Sequence, residues 1–340
     1  MRLLHRLLFC SLSFIVFILL LILRGNESTE ECAHSRAANR EQPIHRMINE
    51  LPIDRWVLIS PPLEGGREYK MVVVVISAFS EREERTLIRS LWASPNQSKI
   101  ISSGEARVIF VVGRSSRNKK EADTYGDLLE IDIEETYRNM VYKIEAAFRW
   151  VREKTHSEFV AKIDSDTVVH VDRLYEQLKR QQRQQSGDWL ACFHYAHSPP
   201  IRDECSPWFI SEEDYSLHSF PTYCNGPGYV MERKALEKIV HRMKEHQVIQ
   251  VEDAFFTGVV SRDLVDLVCL HDVIVPQYTD YSTCDSSLDP FLSILPTHYQ
   301  FGSSKSIRNL TSAWERLKNP LCHNIFTRLY KFLLSIFSCS

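Results

Sequence analysis

Apolar runs and amphipathic stretches alternate through the middle of this chain. Met71-Val72-Val73-Val74-Val75-Ile76 is apolar at every position, the pattern of a strand buried on both faces of a parallel sheet. Ser80 followed by Glu83 matches a capping box, and Leu87, Ile88, Leu91 and Trp92 then share one helical face. Residues 108–112 predict a second strand and 128–133 a third. Met140, Val141, Ile144, Phe148 and Val151 recur at helical spacing. The next apolar run, Phe159-Val160-Ala161-Lys162-Ile163, ends abruptly in Asp164-Ser165-Asp166. Asp172 is placed to cap a helix carrying Leu174 and Leu178, whose tail at 179–185 is polar. Strands alternating with helices predict an α/β domain with a mostly parallel central sheet.

The amino-terminal region reads differently. Residues 7–23 hold no charge and only two serines, a length close to the minimum that crosses a bilayer core at about 1.5 Å per residue. Arg2 and Arg6 precede this run, whereas Glu27, Glu30 and Glu31 follow Arg24, a bias that keeps the amino terminus cytoplasmic. A cleaved signal peptide is the rival reading, but the run exceeds a usual signal core and no small-x-small site follows it. We expect an uncleaved transmembrane signal anchor (7–23) behind a cytoplasmic tail (1–6), then a polar stem (24–68) marked by prolines and glycines. The luminal domain would span 69–320, and 321–340 would form an amphipathic carboxyl-terminal segment. Sequons at Asn26, Asn96 and Asn309 suit a luminal domain.

Composition narrows the function. With 340 residues, 44% apolar and 25% charged, the chain is long enough to bury a full core. A net charge of −3 gives no reason to expect nucleic acid. The nine cysteines include no C-x-x-C pair and no zinc-like spacing. Eight lie outside the apolar leader, an even set that suits an oxidising compartment, and their pairing is not legible. No G-x-G-x-x-G or P-loop follows any strand, so a bound phosphate would depend on metal and basic side chains.

Two acidic places carry the candidate chemistry. In an extended backbone residues i and i+2 point to one side, so Asp164 and Asp166 would converge at the carboxyl end of a buried strand. Paired hard oxygens suit a divalent cation such as Mn²⁺ or Mg²⁺ that also grips a diphosphate, although Asp and Ser equally favour plain turns. Further on, Glu252-Asp253 suits either the first turn of a helix or a carboxylate base. Between them, aromatics accumulate and the glycines of Tyr223-Cys224-Asn225-Gly226-Pro227-Gly228-Tyr229 permit close backbone passage.

Taken in order, Ile88-Arg89-Ser90-Leu91-Trp92, Tyr125-Gly126-Asp127, Tyr137-Arg138-Asn139, Lys162-Ile163-Asp164-Ser165-Asp166, Trp208-Phe209-Ile210-Ser211, the Tyr223–Tyr229 glycine motif and Glu252-Asp253 resemble the β-1,3-glycosyltransferases of glycosyltransferase family 31. The likeness is nearest to the β-1,3-galactosyltransferase group and covers about residues 72–317. It implies a GT-A, Rossmann-like nucleotide-sugar transferase domain in a type II Golgi membrane protein. It further implies a Mn²⁺-dependent inverting hexosyltransferase that carries a sugar from a UDP-sugar in β-1,3 linkage to a glycan on protein or lipid. Galactose is the favoured donor sugar, with GlcNAc and GalNAc left open.

By the same resemblance Asp164 would contact nucleotide and metal, while Asp166 and His298 would ligate the metal. Arg89 and Lys162 would offset the diphosphate charge of the donor. Trp208, Tyr223, Asn225, Gly226 and Glu252 would line the sugar and acceptor side, and Asp253 would be the general base. The chain departs from the pattern at Ser165, Pro207, Pro227 and Ala254, changes that bear on the choice of donor and acceptor and leave the chemistry intact. A catalytically silent relative, acting as a lumenal chaperone or glycan-binding partner, is the alternative. Loss of the paired carboxylates or of the late acid would favour it, and both are present.

Overall fold

Ten strands are seen among the residues described by the computed structural model, which are 52–63, 66–270, 273, 294–297 and 307–318. They are β1 (Val57–Ile59), β2 (Glu68–Ile76), β3 (Ala106–Val112), β4 (Leu128–Ile131), β5 (His156–Asp164), β6 (Thr167–Val169), β7 (Trp189–Tyr195), β8 (Tyr223–Glu232), β9 (Asp266–Cys269) and β10 (Ile294–Pro296). Eight form one sheet in the order β1-β4-β3-β2-β5-β8-β7-β9, while β6 and β10 pair separately. β1 and β8 run against the other six, so the sheet is mostly parallel, as the pattern predicts. Val72, Val73, Val74 and Val75 of β2 have no exposed surface, each contributing about 1.5–3 kcal/mol of burial.

The helices are α1 (Arg82–Ser90), α2 (Lys99–Ser102), α3 (Asn118–Tyr125), α4 (Met140–Lys154), α5 (Val171–Gln184), α6 (Arg233–Arg242), α7 (Glu252–Ala254) and α8 (Ile307–Lys318). A π-helical turn, Phe255–Val260, continues α7. Two expected caps are corrected. α1 starts after Glu81 with no side-chain cap, so Ser80 forms no capping box. The α5 cap is His170, which accepts from the Arg173 N–H. Asp172 reaches across instead to α2, accepting from Ser98 Oγ and the Lys99 and Ile100 amides at 2.9–3.0 Å.

The edge of the domain also moves. Part of the stretch expected as stem belongs to the sheet, because β1 pairs with β4 and Ile53 is fully buried. Among the described residues no helix is long and apolar enough to cross a membrane; the 7–23 run lies outside them. Pro200–Ser216 forms part of a separate compact unit. Within it the Arg202 guanidinium donates to the carbonyls of Ile210, Ser211 and Tyr215 at 2.6–2.7 Å.

Candidate active site

The chain leaves β2 on one side to build β3 and β4, then returns to β5 on the other, which makes the β2/β5 junction a topological switch point. Ligands of open α/β sheets bind outside the strand carboxyl ends at such points. Here Ile76 is level with Asp164, and the Ser165 amide donates to the Ile76 carbonyl at 3.1 Å. β5 stops at Asp164, and Ser165 and Asp166 turn the chain into β6. The two carboxylates are therefore placed by a turn, not by strand alternation, which corrects the expectation. The Asp166 carbonyl is fixed by Thr297, whose amide and hydroxyl both donate to it at 3.0 and 2.8 Å.

Ser165 is buried and donates its hydroxyl to Glu81 at 2.7 Å. The same Glu81 oxygen accepts from Ser77 Oγ at 3.1 Å and the Ala78 amide at 2.9 Å, tying the loop after β2 to the turn after β5. An aspartate at position 165 would set a second carboxylate against Glu81. That contact accounts for serine in the middle of the acidic motif.

Lys162 is 1% exposed and donates to Asp164 Oδ1 at 2.8 Å, the Gly226 carbonyl at 2.7 Å and Glu252 Oε1 at 2.6 Å. Burial works against its charge, but Asp164 and Glu252 outweigh it and hold the ammonium protonated well above its ordinary value. β8 delivers Gly226 here because it runs antiparallel to β5, which brings its first residues to the β5 carboxyl end. β8 also carries Asn225, Gly226, Pro227 and Gly228 across a gap that β7 crosses with Phe193 alone. The Cys192–Cys224 disulfide links the two strands at this bulge. Glu252 is 3% exposed and accepts from the Tyr229 hydroxyl at 3.0 Å. Burial lifts its carboxyl, with Lys162 pulling the other way.

Asp253 opens onto this cluster. Its Oδ1 accepts from the Ala254 amide at 2.8 Å. Its Oδ2 lies so close to Gly226 that a β-carbon there would stand 3.1 Å away. Part of the residue touches solvent, yet protein encloses the carboxyl. Burial first, and the Glu252 charge second, push it up to about 7. Such a group is half ionised near neutral pH, as a proton acceptor needs to be. The backbone beneath it is pinned too, since the Asp253 carbonyl accepts from Thr257 Oγ1, which in turn accepts the Cys224 amide at 2.8 Å.

Several expected site residues fall elsewhere. Arg89 forms a bidentate pair with Asp127 at 2.8 Å, also donates to Glu121 at 2.8 Å, and lies over the Tyr125 and Phe110 rings at 4.0 and 4.6 Å. Those acids overcome burial and keep it charged, so Arg89 serves packing rather than a diphosphate. Lys162 and Glu252 likewise have no exposed face to offer donor or acceptor. Tyr223 packs beside Tyr195 and Phe220 at 5.9 and 5.7 Å, and Asn225 is buried. Trp208 is 50% exposed within the separate unit of Pro200–Ser216. His298 and Asn26 lie outside the described residues. Asn96 is exposed in a turn, whereas Asn309 is 8% exposed on α8. Sequence reasoning missed Glu81 and Tyr229. Tyr229 closes the glycine motif and was open to notice; Glu81 sits in a run of charges with nothing to single it out.

The donor chemistry at the β5 turn fits a divalent cation. Asp164 and Asp166 are hard carboxylates that both reach solvent, the Asp164 side chain to 32%. Among the described residues no group of three or more His, Cys, Asp or Glu side chains gathers as for a metal ion, so other ligands would come from elsewhere.

A family model described as Galactosyltransferase matches residues 83–267, over half of the chain. "Beta-1,3-galactosyltransferase bre-2" of Caenorhabditis elegans is 28% identical over 62% of this chain and 61% of its own length. "Beta-1,3-galactosyltransferase 5" of Homo sapiens is 27% identical over 73% of this chain and 78% of its own length. "Lactosylceramide 1,3-N-acetyl-beta-D-glucosaminyltransferase" of Xenopus tropicalis is 25% identical over 68% of this chain and 62% of its own length.

Proposed function

The chain belongs to the Galactosyltransferase family, and from that premise we propose that it is a β-1,3-hexosyltransferase using a UDP-sugar, with galactose as the favoured donor sugar. The observation that carries this reading is the join at the switch point. Asp164 at the end of β5 and Asp253 beyond β8 are both tied to one buried cluster around Lys162 and Gly226. The acceptor would be a glycan on protein or lipid.

An acceptor hydroxyl attacks the anomeric carbon from the face opposite the nucleotide. Asp253 takes the hydroxyl proton as the new C–O bond forms and the bond to the diphosphate breaks, giving inversion without a covalent enzyme intermediate. General-base catalysis of this kind contributes about 10²–10⁴-fold in rate. Asp164 and Asp166 are the residues that would hold Mn²⁺, which when bound stabilises negative charge on a departing diphosphate. Lys162 orients Asp164 by holding its Oδ1. Gly226 leaves room for Asp253, since any side chain there would press on the carboxylate.

UDP release by the full-length chain, screened over UDP-sugars with Mn²⁺ and a glycan acceptor, tests the reading. Asp166→Ala is expected to lower turnover by about 10²-fold or more with melting unchanged; near wild-type turnover refutes the cation site. We place the protein in the Golgi membrane as a single-pass type II protein with its catalytic domain luminal. It should then resist carbonate extraction and carry endoglycosidase-sensitive glycans. Recovery of full-length, unglycosylated protein from cytosol would refute that placement.

A further inference from the structure

An ammonium has three N–H donors, and those of Lys162 go to three different segments. One goes to Asp164 on β5, one to the Gly226 carbonyl on β8 and one to Glu252 on α7. Glu252 gives one oxygen to Lys162 and the other to the Tyr229 hydroxyl. Tyr229 has no exposed surface, lies edge-on to Phe148 with ring centres 6.4 Å apart, and carries the Lys162 ammonium 5.5 Å from its own ring centre. The helix that bears Asp253 is only three residues long before it widens into the π turn, so it has little stiffness of its own. Its one buried charged anchor is the residue before Asp253, Glu252.

We propose that Lys162, Glu252 and Tyr229 are positioning residues: a buried strut that fixes the Asp253 carboxylate relative to Asp164 while touching neither donor nor acceptor. The inference rests on the reading of Asp253 as base. A cation that only balanced charge would need one carboxylate. This one joins the strand end, the glycine bulge and the base helix, and its bond to Glu252 is buried at both ends.

Tyr229→Phe removes one hydroxyl and leaves the charge pair intact. In the full-length protein kcat is expected to fall about tenfold with donor KM within about twofold, because misplacing a catalytic group costs rate before it costs binding. In the Asp253→Asn background the same change is expected to cost nothing further, since a residue acting through Asp253 then has nothing to act through. A residue needed only for stability would lower both backgrounds alike. Lys162→Met combined with Glu252→Gln removes both buried charges together and strands neither. Its kcat is expected to fall about 10²-fold with melting within a few degrees of wild type. Where that pair does not fold, the Tyr229→Phe cycle decides alone. Wild-type kcat in Tyr229→Phe, or an equal loss in the Asp253→Asn background, overturns the strut while the base assignment stands. Normal turnover by Asp253→Asn itself overturns both.

Discussion

Replacing Asp253 by asparagine should make the protein more stable and less active at once. The amide keeps the shape of the carboxylate and the bond from the Ala254 amide, but it cannot accept a proton. Burial and the Glu252 charge hold the Asp253 carboxyl up to about 7, against an ordinary 3.8. An acid raised in the folded state favours folding while protonated. That contribution is complete below about pH 4 and is lost as pH rises through about 7. Above that range the fold carries a carboxylate it resists, at a cost of at most roughly 4 kcal/mol and less where solvent reaches the residue. Asparagine removes the cost, so the variant should melt several degrees higher near pH 8, with no gain near pH 4. Its kcat should fall by about 10²-fold or more, with donor affinity within a few fold. In the wild type, log kcat should rise with unit slope below about pH 7 and level off above it. Initial rates of UDP release and thermal melts, run on both proteins across that range, test the argument together. Wild-type kcat in the variant, or a kcat loss matched by a fall in melting temperature, would refute it and make Glu252 the next carboxylate to examine.

Gly226→Ala would set a β-carbon 3.1 Å from Asp253 Oδ2, so kcat should drop about tenfold or more while melting and donor KM change little; steady-state kinetics decide it. Arg89→Met breaks a pair shared by Asp127 and Glu121 whose side chains are largely buried, and it should lower stability by about 3–5 kcal/mol with donor KM unchanged, read by denaturant melts and kinetics. Ser165→Asp sets two carboxylates in contact at Glu81 and should lower melting more at pH 8 than at pH 4, whereas Ser165→Ala should cost only about 1 kcal/mol, as calorimetry can show.

The strand and helix pattern of the domain was legible because periodicity is local. β2, β3 and β5 are apolar runs, and the α4 stripe from Met140 to Val151 follows one helical face. Asp164-Ser165-Asp166 and Glu252-Asp253 were legible for the same reason, as short acidic groups set at the ends of patterned elements. What each charge does was not. Lys162 and Arg89 both looked like cations for a diphosphate, yet each is claimed by carboxylates far along the chain, Glu252 at a separation of 90 residues and Asp127 at 38. Ser165 looked like a gap in an acidic motif until Glu81 came to stand against it. Asp172 looked like the cap of its own helix but serves α2, 72 residues away from Ile100. A sequence fixes which residues can carry charge, because that is a property of the side chain. Which charges are neutralised, buried or left to meet a ligand is decided only by the tertiary structure, as where β8 runs antiparallel against β5 and brings Gly226 to Lys162, because burial and pairing depend on distance in space.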